Sequence, residues 1–137
     1  MATVEKTVWL DSWQMQCCGE RFEPGDEISW TLQDPNVEWL SEVLGPDLAA
    51  RIDAAEEHHS GIDASAWVTV GTVASIQTVH CRYAPRPDGP DNYLHPVPDS
   101  GAVGAVSSAD GWPPETEELR FVGYVVQLTG VRTRPPT

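Results

Sequence analysis

Residues 66–83, AWVTVGTVASIQTVHCRY, decide the fold class because they form the longest run of strand-forming residues in the chain. Branched and aromatic side chains favour strands because they fit the pleated surface of a sheet. Gly71 interrupts the run and predicts a bend or a bulge rather than one flat strand. Beyond this point Val79 and Cys81 share one face, whereas His80 points to the other. The segment therefore predicts a long, bent strand.

Three further segments have the pattern of strands. Residues 3–10 alternate in polarity, and residues 21–32 alternate after a turn that Pro-Gly-Asp forms at 24–26. Residues 119–128, LRFVGYVVQL, are apolar on both faces, as in a central or barrel strand. The chain is thus expected to build most of its core from β-structure.

Residues 36–59 predict a helical insertion between strands. Gly45 and Pro46 divide it into two short helices, the second of which runs to His59. Apolar residues recur at helical spacing in both halves: Val37, Leu40, Val43 and Leu44, then Leu48, Ile52 and Ala55. Residues 84–118 contain seven prolines and four glycines and predict one long loop, a feature that in compact domains is often functional.

These elements predict a single domain over residues 1–137, mainly β (α+β). A small sheet must close or be covered to hide its edges, so we expect a small open barrel of four to six strands. The helix pair and the long Pro/Gly-rich loop are inserted into it. The segments FEPGDEISW (22–30) and GTVASIQTV (71–79) resemble the paired strands of SH3-like small barrels.

Several longer motifs carry a second resemblance. The run VWLDSWQMQCCGERFEPGDEISW, followed by AEEHHSG, VHCRYAP and ADGW, is similar to a family of small uncharacterised proteins of actinomycetes. The similarity spans most of the chain. Because the family has no assigned activity, the resemblance implies kinship without implying a chemistry.

The charge of the chain restricts its partners. The net charge is −13, and residues 1–63 hold 14 of the 21 acidic residues against three basic ones. A surface this negative repels phosphate backbones, so we expect no direct binding of nucleic acid. A protein partner, and a basic one, is the natural complement, although high net charge also serves solubility alone.

The N-terminal residues and the cysteines predict the compartment. The N-terminal residues lack the pattern of a secretory signal, and no apolar run is long enough to span a membrane. Three cysteines, an odd number without an export signal, favour reduced thiols and a cytoplasmic protein. The oligomeric state is left open.

The cysteines and most histidines fall into three adjacent pairs, which are Cys17-Cys18, His58-His59 and His80-Cys81. Zinc takes four Cys or His ligands, so these pairs are candidate ligands of a structural zinc. Neighbouring side chains of an extended segment point to opposite faces, so one member of a pair would face the metal unless Gly19 allows a turn. The alternatives are that the cysteines are small core residues or that one is a reactive thiol.

A reactive thiol defines the rival hypothesis, a small enzyme with a Cys-His or metal-bound-water site. Cys18 would be the nucleophile, with His59 or His80 as its base and Asp11, Glu56 or Glu57 as the residue that orients the base. The surrounding negative charge opposes this chemistry because it raises the pKa of a thiol. The leading hypothesis is therefore a non-enzymatic, acidic interaction module.

The remaining polar and aromatic residues suggest surfaces rather than catalytic groups. The adjacent acids Asp26-Glu27 and Glu56-Glu57 are expected to be solvated surface. Of the six tryptophans, Trp13 and Trp112 are the candidates for contact with a partner, and Trp112 is also expected to pin the long loop to the barrel. No nucleotide-binding or serine-hydrolase motif is present in the sequence.

Overall fold

The structure is a computed structural model, and it describes residues 4–57, 67–85, 87, 93–98 and 100–135, with the side chain of Cys18 excluded. The secondary structure of these residues, in chain order, is β1 (Lys6–Asp11), α1 (Ser12–Cys18), β2 (Glu27–Trp30), β3 (Leu32–Gln33), α2 (Val37–Leu44), α3 (Pro46–Ala49), β4 (Ala54–Glu56), β5 (Val68–Cys81), β6 (Tyr83–Pro85), β7 (Leu94–Pro96), β8 (Ala102–Val106) and β9 (Arg120–Arg134). The chain is mainly β, as its sequence predicts.

One sheet contains most of the strands and curls into a half-barrel. Its order is β2-β5-β9-β1-β4-β3, and β8 pairs with β5 in addition. The β1–β4 pair is parallel, whereas the other pairs in the sheet are antiparallel. The strands β6 and β7 form a separate antiparallel pair. The prediction of a curled β-sheet is confirmed at this level.

The long strands β5 and β9 form the spine of the half-barrel. Their register shifts at three places, between Val70 and Thr72, between Val73 and Ser75, and between Val79 and His80. The first shift falls at Gly71, where the sequence predicts a bulge. Bulges increase the local twist and bend of a strand, which lets β5 curve with the barrel wall.

Two hydrophobic cores lie on the two faces of the sheet. Along β1, Val8 and Leu10 belong to the inner core, which Met15 of α1 closes, whereas Trp9 belongs to the opposite core. The second core lies beneath α2 and α3, which contribute the buried residues Leu40, Val43 and Ala49, and we call it the helix-side core. This two-sided burial explains why β9 is apolar on both faces, and why Trp9 of β1 is buried on the face opposite Val8 and Leu10.

The helical insertion is shorter than the sequence predicts. Helix α3 ends at Ala49, and residues 54–56 form β4, which pairs in parallel with β1 and antiparallel with β3. Ile52 and Ala55 have helical spacing in the sequence, and both side chains are buried in the helix-side core. Neither residue is part of a helix, however. Tertiary pairing thus overrides local helix propensity. His58 and His59 lie outside the described residues.

The predicted loop over residues 84–118 is partly wrong. Strand β7 lies within it, β6 begins just before it, and β8 extends the main sheet by pairing with Ile76–His80 of β5. Hydrophobic periodicity in the sequence does not reveal β8, because four of its five residues are exposed. Residues 86, 88–92 and 99 of this segment lie outside the described part of the chain.

Candidate functional site

The segment that carries Cys17 and Cys18 is a helix, not the strand or turn that the sequence suggests. Helix α1 spans Ser12–Cys18, and the N–H of Gly19 donates to the carbonyl of Met15 at 3.2 Å. Cys17 lies on the exposed side of this helix. The side chain of Cys18 is outside the description.

Polar side chains fix α1 across one end of the half-barrel. Nε2 of the buried Gln14 donates to the backbone carbonyl of Glu56 at 3.1 Å and to Oε2 of Glu57 at 3.3 Å. Two residues further along the helix, Nε2 of Gln16 donates to the carbonyl of Gly111 at 3.0 Å. Sequence reasoning missed both glutamines, since nothing in SWQMQCC marks them as bridges to residues more than 40 positions away.

Beside this helix, Asp11 ends β1 as a half-buried carboxylate. Its Oδ1 accepts a hydrogen bond of 2.8 Å from the indole N–H of Trp9. Burial raises the pKa of Asp11 above its ordinary value, and the charge of Glu57 acts in the same direction. The hydrogen bonds from Trp9 and Gln14 oppose this rise.

Cys81 lies in the helix-side core and is completely buried. Burial raises the pKa of its thiol, against a smaller lowering by its hydrogen bond with Tyr83. The pKa of Tyr83 rises to about 12, first through burial and then through the neighbouring Cys81 and Asp11. Protonated groups with raised pKa values are poor nucleophiles at neutral pH, so this pair is suited to packing.

His80 faces the opposite side of β5. Its ring lies 5.7 Å from the ring of Phe121, an inner-core residue, and Nε2 is 3.0 Å from the carbonyl oxygen of Pro114. His80 and Cys81 therefore point to different cores. As the alternation of a strand predicts, no more than one of them can face a common centre.

Within the described ranges, no three His, Cys, Asp or Glu side chains lie close enough together to hold a metal ion. The zinc hypothesis also needs His58, His59 and the side chain of Cys18, which the description leaves out. The same residues carry the enzyme hypothesis, which combines Cys18 with His59 or His80. Both hypotheses stay predictions.

The two tryptophans predicted to contact a partner are exposed. The exposed fraction is 51% for Trp13 and 67% for Trp112. Trp112 is therefore not the anchor of its segment. The anchors are Gly111, whose N–H donates to the hydroxyl of Tyr124 at 2.9 Å, and the bond from Gln16. Pro113, Pro114 and the ring of Trp112 line a shallow groove of about 450 Å³.

A larger cleft opens at the end of the half-barrel that α1 covers. It has a volume of about 670 Å³, and we call it the acidic cleft. It is lined by Leu10, Met15, Gly19, Glu20, Arg21, Phe22, Asp26, Glu27, Ile28, Ser29, Trp30 and Glu56. The apolar members belong to the inner core or pack against it, so the floor of the cleft is continuous with that core.

The carboxylate of Glu56 distinguishes this cleft. Glu56 is only 4% exposed although it lines the cleft, which corrects the expectation that Glu56 is solvated surface. β4 places it there, because Ala55 faces the helix-side core and its neighbours in the strand face the other side. The lining of the same cleft includes an aromatic wall, formed by Phe22 and Trp30, which pack edge to face with their ring centroids 5.3 Å apart.

A family model described as a family of unknown function, DUF6578, matches residues 4–130. The chain belongs to this family. The match confirms the kinship with an uncharacterised family that the sequence motifs suggest. No curated protein and no solved structure matches the chain.

In this DUF6578 member the carboxylates of the cleft and the buried thiol of Cys81 lie in different parts of the fold. Its acidic cleft combines carboxylates with an aromatic wall, and the buried thiol of Cys81 lies in the other core. No helix among the described residues has both the length and the apolar content needed to cross a membrane.

Proposed function

We propose that this DUF6578 protein is a cytoplasmic, acidic binding module, and that its acidic cleft takes a basic segment of a protein partner. The observation that carries the proposal is the lining of the cleft. Four carboxylates, those of Glu20, Asp26, Glu27 and Glu56, share it with the single guanidinium of Arg21. The same sign of charge dominates the whole chain, whose net charge is −13.

The ion pairs described for Glu27 and Arg21 of the cleft lie on the exposed surface. Arg132 pairs with Glu27 at 3.0 Å, and Arg21 lies 3.8 Å from Glu23 on an exposed surface. Exposed ion pairs contribute little because water screens both charges, and the acidic residues of the lining outnumber its single arginine. A concave wall of low dielectric concentrates the field of such acids, so a cationic side chain is attracted into the cleft.

The aromatic wall adds a second reason for a cationic ligand. Trp30 is half-buried against the inner core, and its ring contacts Phe22. A Lys or Arg side chain can lay its aliphatic part on Met15 and Ile28 and its charged end near an aromatic face or a carboxylate. Basic residues next to an apolar residue thus fit both parts of the lining.

The test is a binding titration with a defined probe, a fluorescein-labelled peptide in which arginines flank a single leucine. We expect saturable binding at low salt that weakens steeply as salt is added, because opposite charges are screened. Glu56→Gln should weaken binding by more than about tenfold, since a buried carboxylate that meets a cation is lost.

Glu20→Gln is the second variant because Glu20 is exposed and its replacement leaves the core intact. Glu118→Gln is the matched control, with the same change of charge on an exposed residue outside the cleft lining. The proposal is contradicted if Glu118→Gln weakens binding as much as the two cleft variants, or if a peptide with glutamates in place of the arginines binds equally well.

Two finer descriptions remain part of the proposal. The SH3-like description is supported by the pairing of β2, which follows the Pro-Gly-Asp turn, with residues 69–72 of β5. A structural zinc ion held by Cys17, Cys18, His58, His59, His80 or Cys81 would add rigidity to a small domain. The two faces of β5 allow either His80 or Cys81 in one such site.

A further inference from the structure

Strand β8 presents an edge that the rest of the described chain leaves unpaired. β9 runs along one side of β5, and β2 and β8 share its other side, at residues 69–72 and 76–80. In the described residues, β8 pairs with β5 and with no other strand. Its other edge therefore faces away from the sheet, and Ala102, Val103, Gly104 and Ala105 are exposed.

This edge lacks the features that usually keep edge strands apart. Residues 100–109, SGAVGAVSSA, contain no charged residue and no proline, in a chain with 29 charged residues (8 basic and 21 acidic). The register between β8 and β5 runs without a bulge from Ala102 to Val106. Natural proteins protect an open edge with lysine, proline or a bulge, and an edge without them is open to pairing with another strand.

The start of the strand is also held in place. A Cβ atom on Gly101 would collide with the carbonyl oxygen of Val43, so the backbone lies directly against the end of α2. On its paired side, the hydroxyl of Thr78 donates to the carbonyl of Gly104 at 3.3 Å. A strand fixed in this way loses little conformational entropy when another strand binds to it.

We propose that β8 pairs antiparallel with β8 of a second copy of this chain, so that the two half-barrel sheets join into one continuous sheet. A two-fold axis at Gly104 places Val103 opposite Ala105 of the other copy and Ala102 opposite Val106. A large side chain meets a small one at each of these positions, and glycine meets glycine at the axis.

The absence of charge selects this occupant over a basic peptide. The edge offers no carboxylate to a basic side chain, whereas an identical uncharged strand loses no ion pair when it binds. The two molecules nevertheless repel each other, because each carries a net charge of −13. Added salt screens that repulsion, so the dimer strengthens with salt, opposite to the binding proposed for the acidic cleft.

Sedimentation velocity of the full chain, over a range of concentrations at low and high salt, tests the proposal. We expect a monomer–dimer equilibrium that shifts toward the dimer at high salt. Val103→Lys should raise the dissociation constant by more than about tenfold, since the two lysines would lie diagonally across the joint strands, about 7–8 Å apart. Val4→Lys, the same change at an exposed residue outside the strand, should leave the equilibrium unchanged.

A cross-linking experiment tests the register without depending on the stability of the Lys variant. A Cβ atom on Gly104 has only the Thr78 hydroxyl oxygen near it, at 3.9 Å, so Gly104→Cys fits the fold. In a Cys17→Ser background, Gly104→Cys should form an intermolecular disulfide on mild oxidation, whereas Ala102→Cys, offset from its own copy, should not. The background chain alone gives the level of non-specific linking.

The proposal is overturned by a protein that stays monomeric at both salt concentrations, or by a dimer that Val103→Lys leaves unchanged. Equal cross-linking of the two cysteine variants overturns it as well. Because these measurements involve neither Glu56 nor a basic peptide, they can fail while the proposed function of the acidic cleft stands, and the reverse also holds.

Discussion

Asp11 accepts a hydrogen bond of 2.8 Å from the indole N–H of Trp9, two residues earlier on the same face of β1. Trp9 is 2% exposed and is a central residue of the helix-side core. The bond satisfies a buried donor with a carboxylate that is itself partly desolvated. The end of β1 therefore joins a packed core to the polar residues that hold α1.

The raised pKa of Asp11 makes the stability of the protein depend on pH. Burial is its main cause, and the charge of Glu57 adds to it. Below the ordinary value of 3.8, Asp11 is protonated in the folded and unfolded states alike, and its contribution to stability is complete. As pH rises through the raised value, the folded state must take on a buried charge, and the contribution is lost.

Asp11→Asn removes this titration while keeping an oxygen that can accept from Trp9. We expect the melting temperature of the variant, relative to the wild type, to increase as pH rises from about 4 to about 7. Thermal unfolding followed by circular dichroism measures it. Parallel curves for the two proteins across that range would show that Asp11 does not titrate in this way.

Gly123 is required by the close approach of β1 and β9. A Cβ atom at this position would lie 2.5 Å from Cζ2 and 2.8 Å from Cη2 of Trp9, and it would also collide with the carbonyl oxygen of Leu10. We expect Gly123→Ala to destabilise the fold by about 1–3 kcal/mol or more, because neither the backbone nor a packed indole ring can move aside easily.

Urea denaturation measures the loss for Gly123→Ala, and Gly104→Ala is its control. A Cβ atom at Gly104, an exposed position of β8, would have only the Thr78 hydroxyl oxygen near it, at 3.9 Å. Gly104→Ala should therefore leave the free energy of unfolding almost unchanged at low protein concentration. Equal stability of the two variants would contradict the packing of Trp9 on Gly123.

The thiols of Cys17 and Cys81 should react at very different rates. Cys17 is exposed on α1, whereas Cys81 is buried and the pKa of its thiol is raised. Iodoacetamide at neutral pH should alkylate Cys81 more than about tenfold more slowly than Cys17, since each unit of raised pKa removes about nine-tenths of the thiolate. Peptide mass spectrometry identifies the labelled residue.

Denaturant should abolish the difference between the two thiols, because unfolding exposes both. Cys81→Ser serves as the assignment control. Rapid labelling of Cys81 in the folded protein would argue against the buried position that the helix-side core gives it.

The zinc hypothesis predicts about one equivalent of zinc in protein purified without chelator. Elemental analysis together with a thiol count measures it, and chelation should then lower the melting temperature. His80→Ala and Cys81→Ala tell which of the two faces of β5 carries a ligand. Less than about 0.2 equivalents would reject the hypothesis.

Much of the fold can be predicted from local patterns. The bulge at Gly71, the turn at residues 24–26 and the first helix of the pair follow from signals within a few residues. β9 follows in part, since residues 119–128 are recognisable but the strand continues to Arg134. The last residues of β9 are polar. They extend the strand because they pair with Val68 and Thr69 of β5.

The candidate site is predicted less well. Cys17 and Cys18 are conspicuous in the sequence but lie on a helix, which the short segment SWQMQCC does not reveal. The residues that position this helix, Gln14 and Gln16, find their partners 42 and 95 residues away. A local pattern cannot report such distances. Glu56 likewise gives no sign of burial, because a strand of three residues is too short for periodicity to identify.

The sequence by itself determines that this protein is mainly β, that it is strongly acidic, and where its longest strands and its first paired helix begin. These properties depend on composition and on side-chain spacing along neighbouring residues. Only the tertiary structure decides that residues 54–56 form a strand between β1 and β3, that α1 closes the half-barrel, and that the buried Glu56 lines the acidic cleft. Such features depend on contacts between distant segments. The free energy gained from packing and strand pairing in these contacts exceeds the local conformational preference of each segment.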